Sequence, residues 1–301
     1  MKRIRLGSNF VAAAFVTLGF SSLASAQATR TWISGVGDDA NPCSRTAPCK
    51  TFAGAISKTA TSGEIDCLDP GGFGAVTITK PITLDCGSGV GSILVSGTNG
   101  IAIIAGTGDS ITIRNLTLEG LGTGLSGISI QSAGQVHLEH VKIHDFTTAG
   151  VQVAATAAVN LSMSDVTIAA DNATGMGVSM TTTSGLAAAE FDNVHIWNTH
   201  PGLQGKANST WTVRNSDLSF NGVGAKALEA GATINLINCQ LANNTTAVQS
   251  AAGSTIRVMG STISHNGTAF NPNSGTILSD GLNNVNGNSA SGSVTGSTTQ
   301  M

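Results

Sequence analysis

Seven times between Ile111 and Ile263 the chain carries a variant of one eight-residue phrase, apolar-x-apolar-x-(Asn/Asp/His)-apolar-x-apolar. The copies are ITIRNLTL, VHLEHVKI, LSMSDVTI, AEFDNVHI, WTVRNSDL, INLINCQL and IRVMGSTI, starting at Ile111, Val136, Leu161, Ala189, Trp211, Ile234 and Ile256. Their starts lie 25, 25, 28, 22, 23 and 22 residues apart, a spacing typical of stacked repeats and too long for a heptad or a collagen triplet.

Each phrase holds two period-2 apolar pairs, such as Ile111 with Ile113 and Leu116 with Leu118, separated by a slip of one residue. Two short strands meeting at a corner produce that slip. A third apolar pair follows a Gly-rich stretch in successive repeats: Ile101 and Ile103, Ile128 and Ile130, Val151 and Val153, Val178 and Met180. Three strands per repeat make a triangular coil. A strand cannot pair with its sequence neighbour around a corner, so each must pair in parallel with its counterpart one coil on, about 4.8 Å away. The expected fold is all-β, a right-handed parallel β-helix of about eight three-strand coils. Asn115, His140, Asp165, Asn193, Asn215 and Asn238 fall at the corner. Asn and Asp tolerate the left-handed backbone of a tight corner, and their side chains can ladder along the axis.

Lys2, Arg3 and Arg5 precede an apolar run from Phe10 to Phe20, and Ala24-Ser25-Ala26 offers a small-residue cleavage site. Residues 1–26 therefore read as a secretory signal peptide, and the protein as exported, to the periplasm or the extracellular space. No later stretch is apolar enough for a membrane span. Without the three basic residues of the leader, the 14 Lys and Arg fall to 11 against 17 acidic groups, a net charge of −6. With no Lys/Arg cluster, nucleic acid is not an expected partner. The remaining divisions are an N-terminal segment with a capping helix at 27–63, the β-helix at 64–282 and a flexible polar tail at 283–301.

Export permits disulfides. Cys67 and Cys86 share the local phrase apolar-Asp-Cys and fit adjacent coils, whose spacing suits a disulfide. Cys43 and Cys49 flank a Pro-containing loop and can pair locally. Cys239 falls in the apolar column of Leu116, Val141, Val166 and Val194 and is expected as a buried thiol. No CxxC or His partner accompanies these cysteines, so neither a metal nor a cofactor is expected. Phe52, Ala55 and Ile56 stand at helical spacing, and a short helix there would cover the first coil.

The run TFAGAISKTATSGEIDCLDPGGFGAVTITKPITL (51–84) resembles the N-terminal cap and first coil of secreted bacterial right-handed β-helix proteins of the pectin-lyase-like superfamily. The repeats carry that resemblance from Cys43 to Ile277. It implies the scaffold of polysaccharide lyases, galacturonan hydrolases and pectin esterases. Their activity does not follow, because the Arg-x-Pro-x-x-Arg segment of pectate lyases and the Asn-Thr-Asp, Gly-His-Gly and Arg-Ile-Lys segments of the hydrolases are missing. A shared fold is weak evidence for a shared reaction.

Outward columns were therefore read for an independent site. On the first strand Arg114 faces Glu139, and Asp192 faces Arg214, as surface ion pairs. The second strand sets His144 beside Glu119 and His195 beside Asp217, the His–carboxylate pairing of general acid–base chemistry. Lys142 stands nearby. Trp197 is expected outward as a sugar platform, with Trp211 inward and Trp32 placed ahead of the helix. The catalytic candidates are thus Lys142, His144, His195 and Asp217, and the ligand contact is Trp197. The Asn-x-Ser/Thr triplets at Asn115, Asn160, Asn172, Asn208, Asn243, Asn244 and Asn266 read as corner Asn followed by a Thr strand. Scarce aromatics and charge favour a non-enzymatic structural or glycan-contacting module at the cell envelope or outside the cell. The alternatives are a polysaccharide-active lyase or hydrolase and an adhesin-like self-assembling surface protein. The oligomeric state stays open.

Overall fold

The computed structural model describes residues 27–87, 91–170 and 175–298; the expected signal peptide and Asn172 lie outside them. The chain winds as a right-handed parallel β-helix in which every strand pairs with its counterpart one coil away. On the first face Ile82–Asp85 pairs with Ser110–Arg114, which pairs with Gln135–Glu139, and the ladder runs on to Thr276–Ser279. This register puts Ile65, Leu84, Ile113, Leu138, Met163, Phe191, Val213, Leu236 and Val258 in one inward column, all buried. Residue sizes along neighbouring columns compensate. Trp211 lies over small Ala189 and meets Phe191 edge-on at 5.6 Å, and Gly205 leaves room for its indole, since a Cβ there would come 3.0 Å from Nε1.

The stack begins earlier and ends later than the apolar pattern indicated. Ala28–Ile33 is already a rung, paired in parallel with Thr59–Cys67, but its alternation is too short to be recognised alone. The helix is a single turn, Phe52–Ile56, with the Thr51 hydroxyl capping Gly54 N–H and Phe52 packed edge-on against Phe73 at 5.8 Å. At the other end, Asn284–Asn286 and Ala290–Gly292 of the expected flexible tail pair with Thr262–Ser264 and Thr268–Asn271. Backbone pairing and stacked amides extend the ladder there with little apolar burial, Val285 standing in register with Ile263 but exposed.

Two corners turn on left-handed residues. Asn115, His140, Asp165, Asn193, Asn215 and Asn238 all have φ between 50° and 57°. Two of the expected corner-to-corner bonds form, Asn193 to Asp165 and Asn238 to Asn215, while Asn115 and Asn215 donate instead to Asp85 and Asp192, the strand residues of the coil before that stand in register with Arg114 and Arg214, all at 2.6–2.8 Å. A second ladder, at the next corner, was not foreseen. Asn244, Asn266 and Asn288 each accept through Oδ1 from the backbone N–H of the coil before, at 2.8–2.9 Å. Asn221 in turn accepts from the Thr199 N–H and hydroxyl. Each of these four amides donates to a strand carbonyl: Ile196, Leu218, Leu241 or Ile263. Buried amides with both ends satisfied stiffen a corner, whereas an unsatisfied one would cost about 1–3 kcal/mol. Asn244 and Asn266 are buried in this ladder, so their Asn-x-Thr triplets are structural.

Disulfides join Cys67 to Cys86, with Cα atoms 4.5 Å apart, and Cys43 to Cys49. Cys239 is a buried free thiol, and burial pushes it up to about 11. At pH 8 its thiolate fraction is on the order of 0.1%. Native protein should therefore resist alkylation at Cys239 and become fully labelled on unfolding, while non-reducing peptide maps show the two disulfides. A Cys239 mixed disulfide in native protein would contradict the column assignment. Leu138→Asp should cost about 3–5 kcal/mol by burying an unpaired charge between coils, with proteolysis beginning locally because each coil contacts only its neighbours. Unchanged thermal unfolding would show the register to be wrong.

Candidate functional site

The second face places the four sequence-nominated residues in two adjacent outward columns. One runs Thr117, Lys142, Thr167, His195, Asp217 and the other Glu119, His144, Ala169, Trp197, Ser219. His144 therefore neighbours Glu119, and His195 neighbours Asp217, as the repeat register requires. The two histidines nonetheless stand in different columns and two rungs apart, roughly 10 Å along the axis. Side-chain bonds draw them further from a common centre: His195 Nε2 lies 3.2 Å from corner Asn193, and Asp217 accepts from Ser219. Trp197 is half-buried on this face. Among the described residues the face sets each histidine in register beside a carboxylate without an ion pair between them, and gathers them into no single convergent site.

Convergence occurs instead on the first face, near the N-terminus, among residues far apart in sequence. One outward column runs Arg30, Glu64, Thr83 and its neighbour runs Trp32, Asp66, Asp85, Arg114, Glu139. Trp32 is thus an outward residue of the first rung, not a residue outside the coil. Arg114 is in register with Glu139, yet its ion pairs run the other way, to Asp85 at 3.2 Å and Glu64 at 3.9 Å. Likewise Arg214 pairs with Glu190 at 2.7 Å rather than with Asp192. Arg30 lies 3.1 Å from Glu64, bonds Asp66, and stacks over the Trp32 ring at 5.9 Å. Asp66 and Asp85 face each other directly, a repulsive cross-strand pair that Arg30 and Arg114 offset from either side.

Over these columns opens a cleft of ≈ 420 Å³ lined by Arg30, Trp32, Arg45, Asp66, Leu68 and Asp85. Arg45 reaches it from the Cys43–Cys49 loop and has no ion-pair partner among the described residues. Glu64, in the column beside Asp66, forms ion pairs with Arg30 and Arg114. Burial first, and then the hydrogen bond and charge of Asp66, hold the Glu64 carboxyl above the ordinary Glu range, outweighing Arg30 and Arg114. A carboxyl held above its ordinary range and hydrogen-bonded to a second carboxyl is the kind of group that general acid–base catalysis uses. Among the described residues no group of three or more His, Cys, Asp or Glu is placed to hold a metal. The sequence does carry a signal for this cluster: T-R-T-W-I, E-I-D-C and T-L-D-C align as three rungs once Ala28–Ile33 is recognised as a strand.

No family model matches the chain, and no curated protein matches it by sequence. Solved structures do match by shape. Pectate lyase Pel9A superposes with a TM-score of 0.64 at 13% identity, covering 89% of this chain and 80% of that one. A rhamnogalacturonan lyase gives 0.53 at 13% identity, covering 83% and 75% of the two chains. The A-module of the Azotobacter vinelandii mannuronan C-5 epimerase AlgE6 gives 0.50 at 15%, covering 83% and 93%. The chain has the fold of the pectin-lyase-like right-handed β-helices.

Proposed function

We propose that this is an exported, polysaccharide-active β-helix enzyme whose site is the N-terminal cleft of the first face. The observation that carries the reading is the meeting, in one cleft, of the half-buried Trp32 indole with the Asp66 carboxyl, beside which Glu64 is held above its ordinary range. Trp32 provides a flat apolar face for a sugar ring, Arg30 and Arg45 provide donors for its oxygens, and Asp66 is the carboxylate that lines the cleft. Glu64 supplies the proton that Asp66 would exchange with substrate. The two disulfides support export, since they persist in oxidising compartments, and one of them holds the loop that carries Arg45. The three structural neighbours, by name two lyases and an epimerase of polysaccharides, support the enzymatic reading over a non-catalytic module, which the scarcity of aromatics had favoured.

Product formation on a panel of acidic and neutral polysaccharides tests the reading. Asp66→Asn should lower kcat by at least a hundredfold with binding retained, and Trp32→Ala should raise KM. Glu64→Gln should remove the alkaline limb of the pH–rate profile: the protonated form of Glu64 is lost as pH rises through its raised pKa, so a rate that needs that proton falls there. His144→Ala with His195→Ala should leave turnover intact. Binding without product on every chain of the panel would make the cleft a contact surface and restore the non-enzymatic reading. Turnover lost in the histidine variant would move the site to the second face.

A further inference from the structure

The second corner carries an exposed aromatic that its backbone disfavours. Successive coils fill this corner with residues in the left-handed region, and Asn198 and Asn243 flank Phe220 with φ of 56° and 56°. Phe220 adopts φ 59° in the same position and leaves 60% of its surface in solvent. Asn is suited to that backbone and Phe is not, while the ring gains nothing from the core. A strained conformation kept at an exposed position points to a role outside folding.

The surroundings of Phe220 indicate what it meets. It borders a cleft of ≈ 540 Å³ lined also by Asn198, His200, Asn243 and Thr245, a size in the range of small-ligand sites. No Asp, Glu, Lys or Arg is among its described lining residues. The walls are held in place. Below the platform, Asn221 and Asn244 belong to the buried amide ladder, and His200 packs so closely on Gly222 that a Cβ there would lie 1.5 Å from Nδ1. An exposed aromatic face bordered by amide, hydroxyl and imidazole groups matches an uncharged pyranose, whose axial C–H groups suit the negative face of a ring and whose hydroxyls need polar partners.

We infer that Phe220 and its cleft form a second glycan subsite, selective for a neutral sugar unit. The inference rests on the polysaccharide reading above but not on its catalytic cleft. Six rungs separate the two along the axis, roughly 30 Å at ~4.8 Å per rung, so no single sugar touches both.

The test is affinity electrophoresis of the whole protein in gels containing soluble neutral glucan, galactan or mannan, beside polygalacturonate and alginate. Phe220→Asn suits the corner better than Phe, so its melting temperature should be unchanged or raised. Its affinity for at least one neutral polysaccharide should fall tenfold or more, and Phe220→Trp should retain binding. The inference is overturned if Phe220→Asn binds as wild type, if it lowers the melting temperature, or if wild type binds none of the neutral chains. Turnover lost in Asp66→Asn while Phe220→Asn binds normally would leave the first-face enzyme standing and remove only this subsite. The converse result would keep the subsite and remove the enzyme.

Discussion

Everything in this molecule depends on the parallel hydrogen-bonded registration of each strand with the strand one coil away. Because pairing never occurs within a coil, every residue acquires two fixed neighbours roughly one repeat before and after it in sequence. Inward, that rule creates apolar columns such as Ile113–Leu138–Met163–Phe191. At the corners it stacks left-handed residues, so that Asn and Asp satisfy both the backbone and each other. Bulky departures from column size are compensated by the rung beside them, as where Ala189 makes room for Trp211. Stability is consequently local, because each coil packs only on its neighbours.

The same rule governs the surface chemistry. Outward columns deliver residues from distant sequence positions at fixed spacing, but they deliver them onto a flat sheet. A site needs a further element to make a wall. At the N-terminal end the disulfide-closed loop carrying Arg45 serves that purpose, and the charged columns beneath it are dense enough for Asp66 and Asp85 to face one another. On the second face His144 and His195 stand in register beside their carboxylates, but His195 bonds Asn193, Asp217 bonds Ser219 and Glu119 bonds the Leu121 N–H. Correct pairing is therefore not sufficient for a site on this scaffold.

The fold was legible because its signal is periodic: the eight-residue phrase and the corner Asn and Asp follow from a repeat of 22 to 28 residues, and the Cys67–Cys86 pairing from the shared apolar-Asp-Cys phrase 19 residues apart. The His144–Glu119 and His195–Asp217 adjacencies followed from the same arithmetic. The first rung at Ala28–Ile33 and the last coil, Asn284–Asn286, Ala290–Gly292 and Gly296–Ser297, escaped because their short strands show little apolar alternation, and backbone pairing to the next coil leaves no mark on side-chain type. With the first rung unseen, Trp32 and Arg30 had no column, and Glu64, Asp66 and Asp85 had no visible partners.

By itself, then, the sequence determined the period, the inward and outward faces and the corner chemistry, because these depend on which residues can be buried and which tolerate a left-handed backbone. Only the tertiary structure decided the direction in which each outward charge reaches. Register sets Cα neighbours, but Arg114 lies between acids on both sides and turns to Asp85 and Glu64, where burial and a second carboxylate raise the value of its charge. It also decided which exposed aromatics border a cleft, because a wall comes from loops whose course no periodic pattern encodes.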